Sequence, residues 1–240
     1  MENAYELSLT IVKTLAAILA GVLLGNGIVY FFNKIPAEWM TEYGEEPPAE
    51  MKDPGIQRLK GYPARYLFTM IFVSAAVWLV IRDVRSAVPI LAALWLLTEI
   101  AVSDAKYRII PDQWVILLAV TTIGFLGKYL GWKDCLYGIL AGTALIGSVA
   151  LVGRICYRKM AVGMGDIKLF AVLGALTGFQ GILFIFVLST LLSAAHYVYL
   201  LASGKRKKGA AVPYAPYAAI ACWAYWLFFW DKLSVLTLKL

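Results

Sequence analysis

AVGMGDIKLF, residues 161–170, sets one carboxylate, Asp166, between two glycines and a lysine at the head of an apolar run. A helix that starts at Asp166 and stops by Gly178 rises only about 20 Å at about 1.5 Å per residue. That is short of a hydrocarbon layer about 30 Å thick. If the chain is a membrane protein, the entry end of this helix sits below the headgroups or beside a water-filled notch.

The surrounding composition puts it in a membrane. Of 240 residues, 61% are hydrophobic and only 15% are charged, too apolar a mix to assemble a water-facing surface. Apolar runs recur over 8–32, 65–81, 88–102, 114–130, 135–151, 166–178, 181–201 and 212–230. The expected fold is all-α: a polytopic membrane protein of about eight transmembrane helices, forming one integral-membrane domain over 1–240. A loop over 33–65 and a catalytic core over 99–217 subdivide it. The leader MENAYEL carries Glu2 and Glu6 in place of basic residues, so the first run reads as a retained anchor and not a removable signal.

Basic residues cluster in alternate loops: Lys34, Lys52, Arg58, Lys60 and Arg65; Lys106 and Arg108; Arg154, Arg158, Lys159 and Lys168; and Lys205 to Lys208. Placing those loops in the cytoplasm makes the chain a multi-pass protein of the inner membrane with both termini outside. The net charge of +7 then follows from topology, and no nucleic-acid partner is expected. The run SGKRKKGAA (203–211) has the same explanation. The acids Glu38, Glu42, Glu45, Glu46 and Glu50 of the long loop read as a solvated face. Trp223, Tyr225, Trp226 and Trp230 fit an interfacial aromatic belt. Cys135, Cys156 and Cys222 form no CxxC pair, and the chain has one histidine, so neither a metal site nor a disulfide framework is expected.

Ionisable residues at membrane depth are costly and mark candidate sites. Here they are Glu99, Asp104, Asp112, Asp166 and His196. In SDAKYRIIPDQW (103–114), Asp104 stands where an apolar helix meets water, and Pro111 suits the first turn of the next helix. Asp112 beside it meets the positive end of that helix, so helix initiation explains it as well as catalysis does. Asp104 has no such structural role. For Asp166 a capping role and a catalytic role both stand. Gly163 and Gly165 ahead of it permit close backbone approach and unusual dihedrals, as an extended peptide would require. Lys168 is read either as a snorkelling lysine or as a group that lowers the pKa of the carboxylate or holds substrate or lipid phosphate. Glu99, five positions before Asp104, is expected to make a polar contact, and His196 an interhelical hydrogen bond.

Asp104 and Asp166 are both expected at the cytoplasmic edge beside irregular backbone, which makes them a candidate pair. Two close carboxylates in a low dielectric share a proton and titrate as a unit. The ionised member can take a proton from water while the neutral one polarises a peptide carbonyl, giving hydrolysis with no cofactor and no histidine.

These motifs resemble a known family. DAKYRIIPD (104–112) is similar to the Asp-x6-Pro-Asp signature of the membrane aspartic peptidases that process type IV prepilins, and GMGDIK (163–168) to their GxGDxK signature. VPYAPY (212–217) resembles the Pro-aromatic-Gly-Pro-aromatic segment opening their last helix, with Ala215 in place of glycine. GNGIVYFFNKIP (25–36) is similar to a stretch after their first helix, with Asn33 displaced. The resemblance implies a catalytic pair Asp104 and Asp166, with Asp112 in support. It implies a prepilin or pseudopilin precursor cut at the cytoplasmic face, after a glycine that ends a short basic leader. Many members also N-methylate the new terminus with S-adenosylmethionine and carry paired CxxC motifs in the first loop. The loop here has no cysteine, which excludes zinc there and leaves methyl transfer open. Two readings compete: a proton-coupled transporter, with acids near midplane and repeated halves, and a non-catalytic secretion-complex component.

Overall fold

The computed structural model describes residues 2–41, 46–47, 49–53, 55–127, 129–157, 162–204 and 212–230. Glu42, Glu45, Arg158, Lys159 and the basic run 205–208 lie outside the described residues. The chain is an all-α polytopic membrane protein. Its helices are α1 (Glu2–Lys34), the short α2 (Ala49–Lys52), α3 (Gly61–Arg82), α4 (Val84–Tyr107), α5 (Asp112–Val120), α6 (Trp132–Tyr157), α7 (Met164–Ala202) and α8 (Ala215–Ala224). Five of them, α1, α3, α4, α6 and α7, are long and apolar enough to cross a bilayer. The chain divides into two compact units, residues 1–95 and 96–240.

In the first unit, α1 and α3 run antiparallel with their backbones in contact. A Cβ added at Gly21 would lie 2.5 Å from Val73 Cα, and one at Gly25 2.4 Å from Thr69 Cα. Apolar side chains gain little by leaving lipid, so close backbone approach at a small-xxx-small stripe is what holds such helices together. The loop between them is closed at its base. Asn33 Nδ2 donates to Leu59 O at 2.9 Å, and Leu59 N–H returns a bond to Asn33 Oδ1 at 2.9 Å. Arg58 donates to Ile35 O and to Met51 O.

In the second unit the expected runs 166–178 and 181–201 are two arms of α7, joined at Gly178. Phe170 and Phe186 have ring centroids 6.2 Å apart, whereas sixteen residues of straight helix would separate them by about 24 Å. The chain therefore doubles back. Gly178 has φ 69°, open to glycine but strained for other residues, and a Cβ there would meet Leu130 Cδ2 at 3.1 Å. α6 packs on the hairpin through Gly138, whose added Cβ would lie 2.0 Å from Gly174 O, and Gly142, 2.2 Å from Phe170 O.

Two expectations are corrected. The run 114–130 is not one span: α5 tightens into a 3₁₀ turn ending at Gly124, and Gly127, at φ 87°, donates to Leu130 O. The turn forms because Phe125 is fully buried and stacked on Trp226 at 5.8 Å. For the same reason the C-terminal aromatics are not all a belt. Tyr225 and Trp226 are buried, and Tyr225 O–H reaches Thr177 O.

Candidate functional site: four helix ends around two carboxylates

The end of α4 and the starts of α5, α7 and α8 meet in the second unit. α4 stops because the chain enters the left-handed region at Arg108 (φ 60°), and Ser103 Oγ, donating to Ile109 O at 2.7 Å, fixes the exit. Asp104, in the last turn of α4, is buried. Its Oδ2 accepts the Ala215 N–H at 2.9 Å, and the Tyr214 N–H also bonds the carboxylate. Pro213 and Pro216 flank these donors in VPYAPY. The positive end of α8 is thus turned onto Asp104.

Asp166 is the third residue of α7. Its Oδ2 accepts the N-cap Gly163 N–H at 3.2 Å, which is half of a capping box, since glycine has no side chain to return the bond. Its Oδ1 is buried with no hydrogen-bond partner among the described residues. One oxygen therefore does the structural work and the other is left over. Asp104 is near enough for its charge to act on Asp166.

The two glycines differ in role. An added Cβ on Gly165 would meet Ile110 Cβ at 3.0 Å, so Gly165 lets the 109–111 link lie against the start of α7. Gly163 is exposed. Neither has the unusual dihedral expected of it: Gly163 is extended at φ −74°, and Gly165 is helical.

One acid thus stands at a helix end and the other at a helix start, and the segment that carries both has known relatives. A family model described as the type IV leader peptidase family matches residues 91–198. Proteins named prepilin leader peptidase/N-methyltransferase align beyond that segment. The one from Xanthomonas campestris is 32% identical over 176 residues, covering 71% of this chain and 59% of the relative. Those from Pseudomonas aeruginosa (30% identical, 68% and 57%) and Aeromonas hydrophila (29% identical, 68% and 56%) are similar. The chain thus spans somewhat more than half the length of these relatives. No solved structure matches it.

Within residues 91–198, Lys168 is held by an acid other than Asp166. Its Nζ bonds Asp112 at 2.9 Å (Oδ1) and 2.7 Å (Oδ2), joining the starts of α5 and α7. Pro111 stands at the N-cap of α5, and no side chain caps that helix, so Asp112 serves the ion pair. Glu99, also within the segment, is fully buried and, contrary to expectation, has no partner for either oxygen among the described residues. His196 does bridge two helices, through Nδ1 and the Tyr217 hydroxyl. Sequence reasoning missed Tyr214, whose ring stacks on Phe170 at 5.6 Å and whose hydroxyl meets Ser189 at 2.8 Å and Thr190 at 3.0 Å. Its place in VPYAPY was the available signal.

Proposed function

We propose that the chain is a membrane aspartic endopeptidase that cuts the leader from type IV prepilin-like precursors, with Asp104 and Asp166 as the catalytic pair. The observation that carries this reading is the buried, unpartnered Oδ1 of Asp166 within electrostatic reach of Asp104. That oxygen is the one available to hydrogen-bond a water or a scissile carbonyl. The pair holds one proton between two carboxyls. The ionised carboxylate takes a proton from water, the hydroxide equivalent adds to the peptide carbon, and the neutral acid donates to the carbonyl oxygen. Collapse of the tetrahedral intermediate returns a proton to the leaving amine. Asp112 and Lys168 support the pair by holding α5 and α7 in register.

The arm 164–177 rises only about 21 Å, so one of its ends lies within the hydrocarbon, and a precursor kept in lipid by its own apolar segment meets Asp166 there. Anchoring removes much of the orientational cost of binding. The substrate strand lies beside Gly163, because Ile110 fills the space at Gly165. The distribution of basic residues along the sequence supports a site at the cytoplasmic face of the inner membrane.

The relatives' names add N-methyltransferase. Adding a labelled methyl donor to the cleavage assay separates a peptidase from an enzyme that also methylates the new terminus with S-adenosylmethionine. A transporter would hold its acids near midplane; Asp104 and Asp166 stand at helix ends. Co-expression with a prepilin or pseudopilin precursor tests the reading. Wild type shortens the precursor, and Asp104→Asn and Asp166→Asn leave it full length. Cleavage by either variant overturns the assignment.

A further inference from the structure

One residue at the start of α8 reaches the surroundings of both acids. Tyr214 is the N-cap of α8, and its backbone N–H bonds the Asp104 carboxylate beside that of Ala215. Its ring lies over that of Phe170, with centroids 5.6 Å apart and planes 25° from parallel. Phe170 follows Asp166 by four residues, so the two side chains share one face of the first arm of α7, about 6 Å apart along its axis. A single residue thus holds Asp104 by its backbone and the turn next to Asp166 by its ring.

Both ends of this link are braced. The Tyr214 hydroxyl meets Ser189 Oγ at 2.8 Å and Thr190 Oγ1 at 3.0 Å on the second arm of α7. Ser189 is fully buried, and its hydroxyl also bonds Phe186 O at 3.1 Å, so the tyrosine ring is located against both arms of the hairpin. Phe170 is fully buried as well. The Phe186 ring meets it edge-on at 6.2 Å, and α6 backs its main chain at Gly142, where an added Cβ would lie 2.2 Å from Phe170 O. An interior packed this closely passes a displacement on from one group to the next.

We infer that Tyr214 is a positioning residue, which through its stack on Phe170 sets the separation of the Asp104 and Asp166 carboxyls. The inference rests on these two acids acting as the catalytic pair. The closer two carboxyls stand, the more the first ionisation opposes the second, and the wider the pH range over which the pair carries one proton. That singly protonated form is the one that hydrolyses a peptide, so the width of the pH–rate curve reports the separation. Of the other ionisable groups around the pair, the charge of Arg108 acts on Asp104, and Asp112 and Lys168 are joined to each other. The Tyr214 phenol is neutral over the range in which carboxyls titrate. Substitution of Tyr214 leaves those charges in place and changes the spacing.

The test uses the full chain in detergent with a prepilin precursor and compares wild type, Tyr214→Phe and Tyr214→Leu. Phenylalanine keeps the stack and gives up the hydroxyl bonds, whereas leucine gives up both. In Tyr214→Leu the pH–rate curve is expected to narrow by about one pH unit, with kcat down about tenfold or more and KM within about twofold of wild type. Tyr214→Phe is expected to recover most of the width. A lower unfolding temperature with an unchanged width would mean that Tyr214 only supports the fold, and overturns the inference. A second measurement does not depend on cleavage. In the Asp104→Cys/Asp166→Cys chain a short bifunctional thiol reagent links the two positions, and the linked peptides are quantified by mass spectrometry. Adding Tyr214→Leu is expected to lower that yield severalfold, and an equal yield overturns the inference. Dependence of the yield on Tyr214 in a protein whose wild type leaves every precursor whole would sink the peptidase reading and keep the spacing role of Tyr214.

Discussion

Lys168 and Asp112, fifty-six residues apart, form a two-pronged ion pair with Nζ 2.9 and 2.7 Å from the two carboxylate oxygens. It joins the first turns of α5 and α7, one following Asp104 in the chain and the other containing Asp166. The charged groups of both signature motifs are thereby tied to each other and not to the space between the acids.

Both side chains are about half exposed (50% and 57%), so water screens the pair and its worth is about 0.2–1 kcal/mol. Lys168→Met and Asp112→Asn should each lower stability by no more than about 1 kcal/mol and reduce precursor cleavage without abolishing it. The double variant should be little worse than either single one. A double-mutant cycle on cleavage rate and unfolding temperature checks this; additive losses in the cycle would mean that the two act separately.

Gly178 makes the α7 hairpin possible. Gly178→Ala places a Cβ where φ is 69° and Leu130 Cδ2 is 3.1 Å away. A loss of about 1–2 kcal/mol is expected, read as a lower unfolding temperature in detergent. Gly174→Ala meets backbone, with Gly138 O only 2.0 Å from the new atom. It should be the more damaging change, because a carbonyl in a packed helix cannot swing aside as a leucine methyl can.

Hydrophobic length made the membrane helices legible, and ionisable residues inside apolar runs pointed to Asp104, Asp166 and Glu99 before any coordinates. Gly178 punctuated two runs, but punctuation does not say whether the chain continues or reverses; the contact of Phe170 with Phe186 does. The Asp112–Lys168 pair was invisible because nothing local links residues so far apart. Tyr225 and Trp226 were misread because an aromatic cluster suits both a lipid interface and a protein interior, and only the burial of Phe125 decides. The helix-packing stripes GVLLG (21–25) and GILAG (138–142) were there to be read as close-approach motifs.

Substitutions at Asp104 separate its proposed catalytic role from its architectural one. Asparagine at this position keeps an oxygen to accept the Ala215 N–H. Asp104→Asn should therefore retain the wild-type unfolding temperature and lose at least about 100-fold in cleavage rate, the scale of a missing general acid or base. Asp104→Ala also strands buried N–H donors at the start of α8 and should lose a further 1–3 kcal/mol or so of stability. Equal stability of the two variants would show that the α8 contact contributes nothing.

Tyr214 links that same helix start to the second arm of α7, and burial pushes its hydroxyl above the usual tyrosine range, although the bonds to Ser189 and Thr190 oppose the shift. In the folded protein the neutral phenol is thus favoured relative to the unfolded chain. The stability it adds is complete below about pH 10, the ordinary tyrosine value, and is lost as pH climbs through the raised value. Tyr214→Phe keeps the stack on Phe170 and gives up two hydrogen bonds, a loss of about 1–2 kcal/mol at neutral pH. The gap in unfolding temperature between wild type and Tyr214→Phe should then narrow as pH rises past 10, because only the wild type has a proton to lose at this position. A gap that stays constant from pH 8 to the alkaline limit would mean that the hydroxyl is not buried in the folded protein and that α8 is held over Asp104 by its backbone contacts alone.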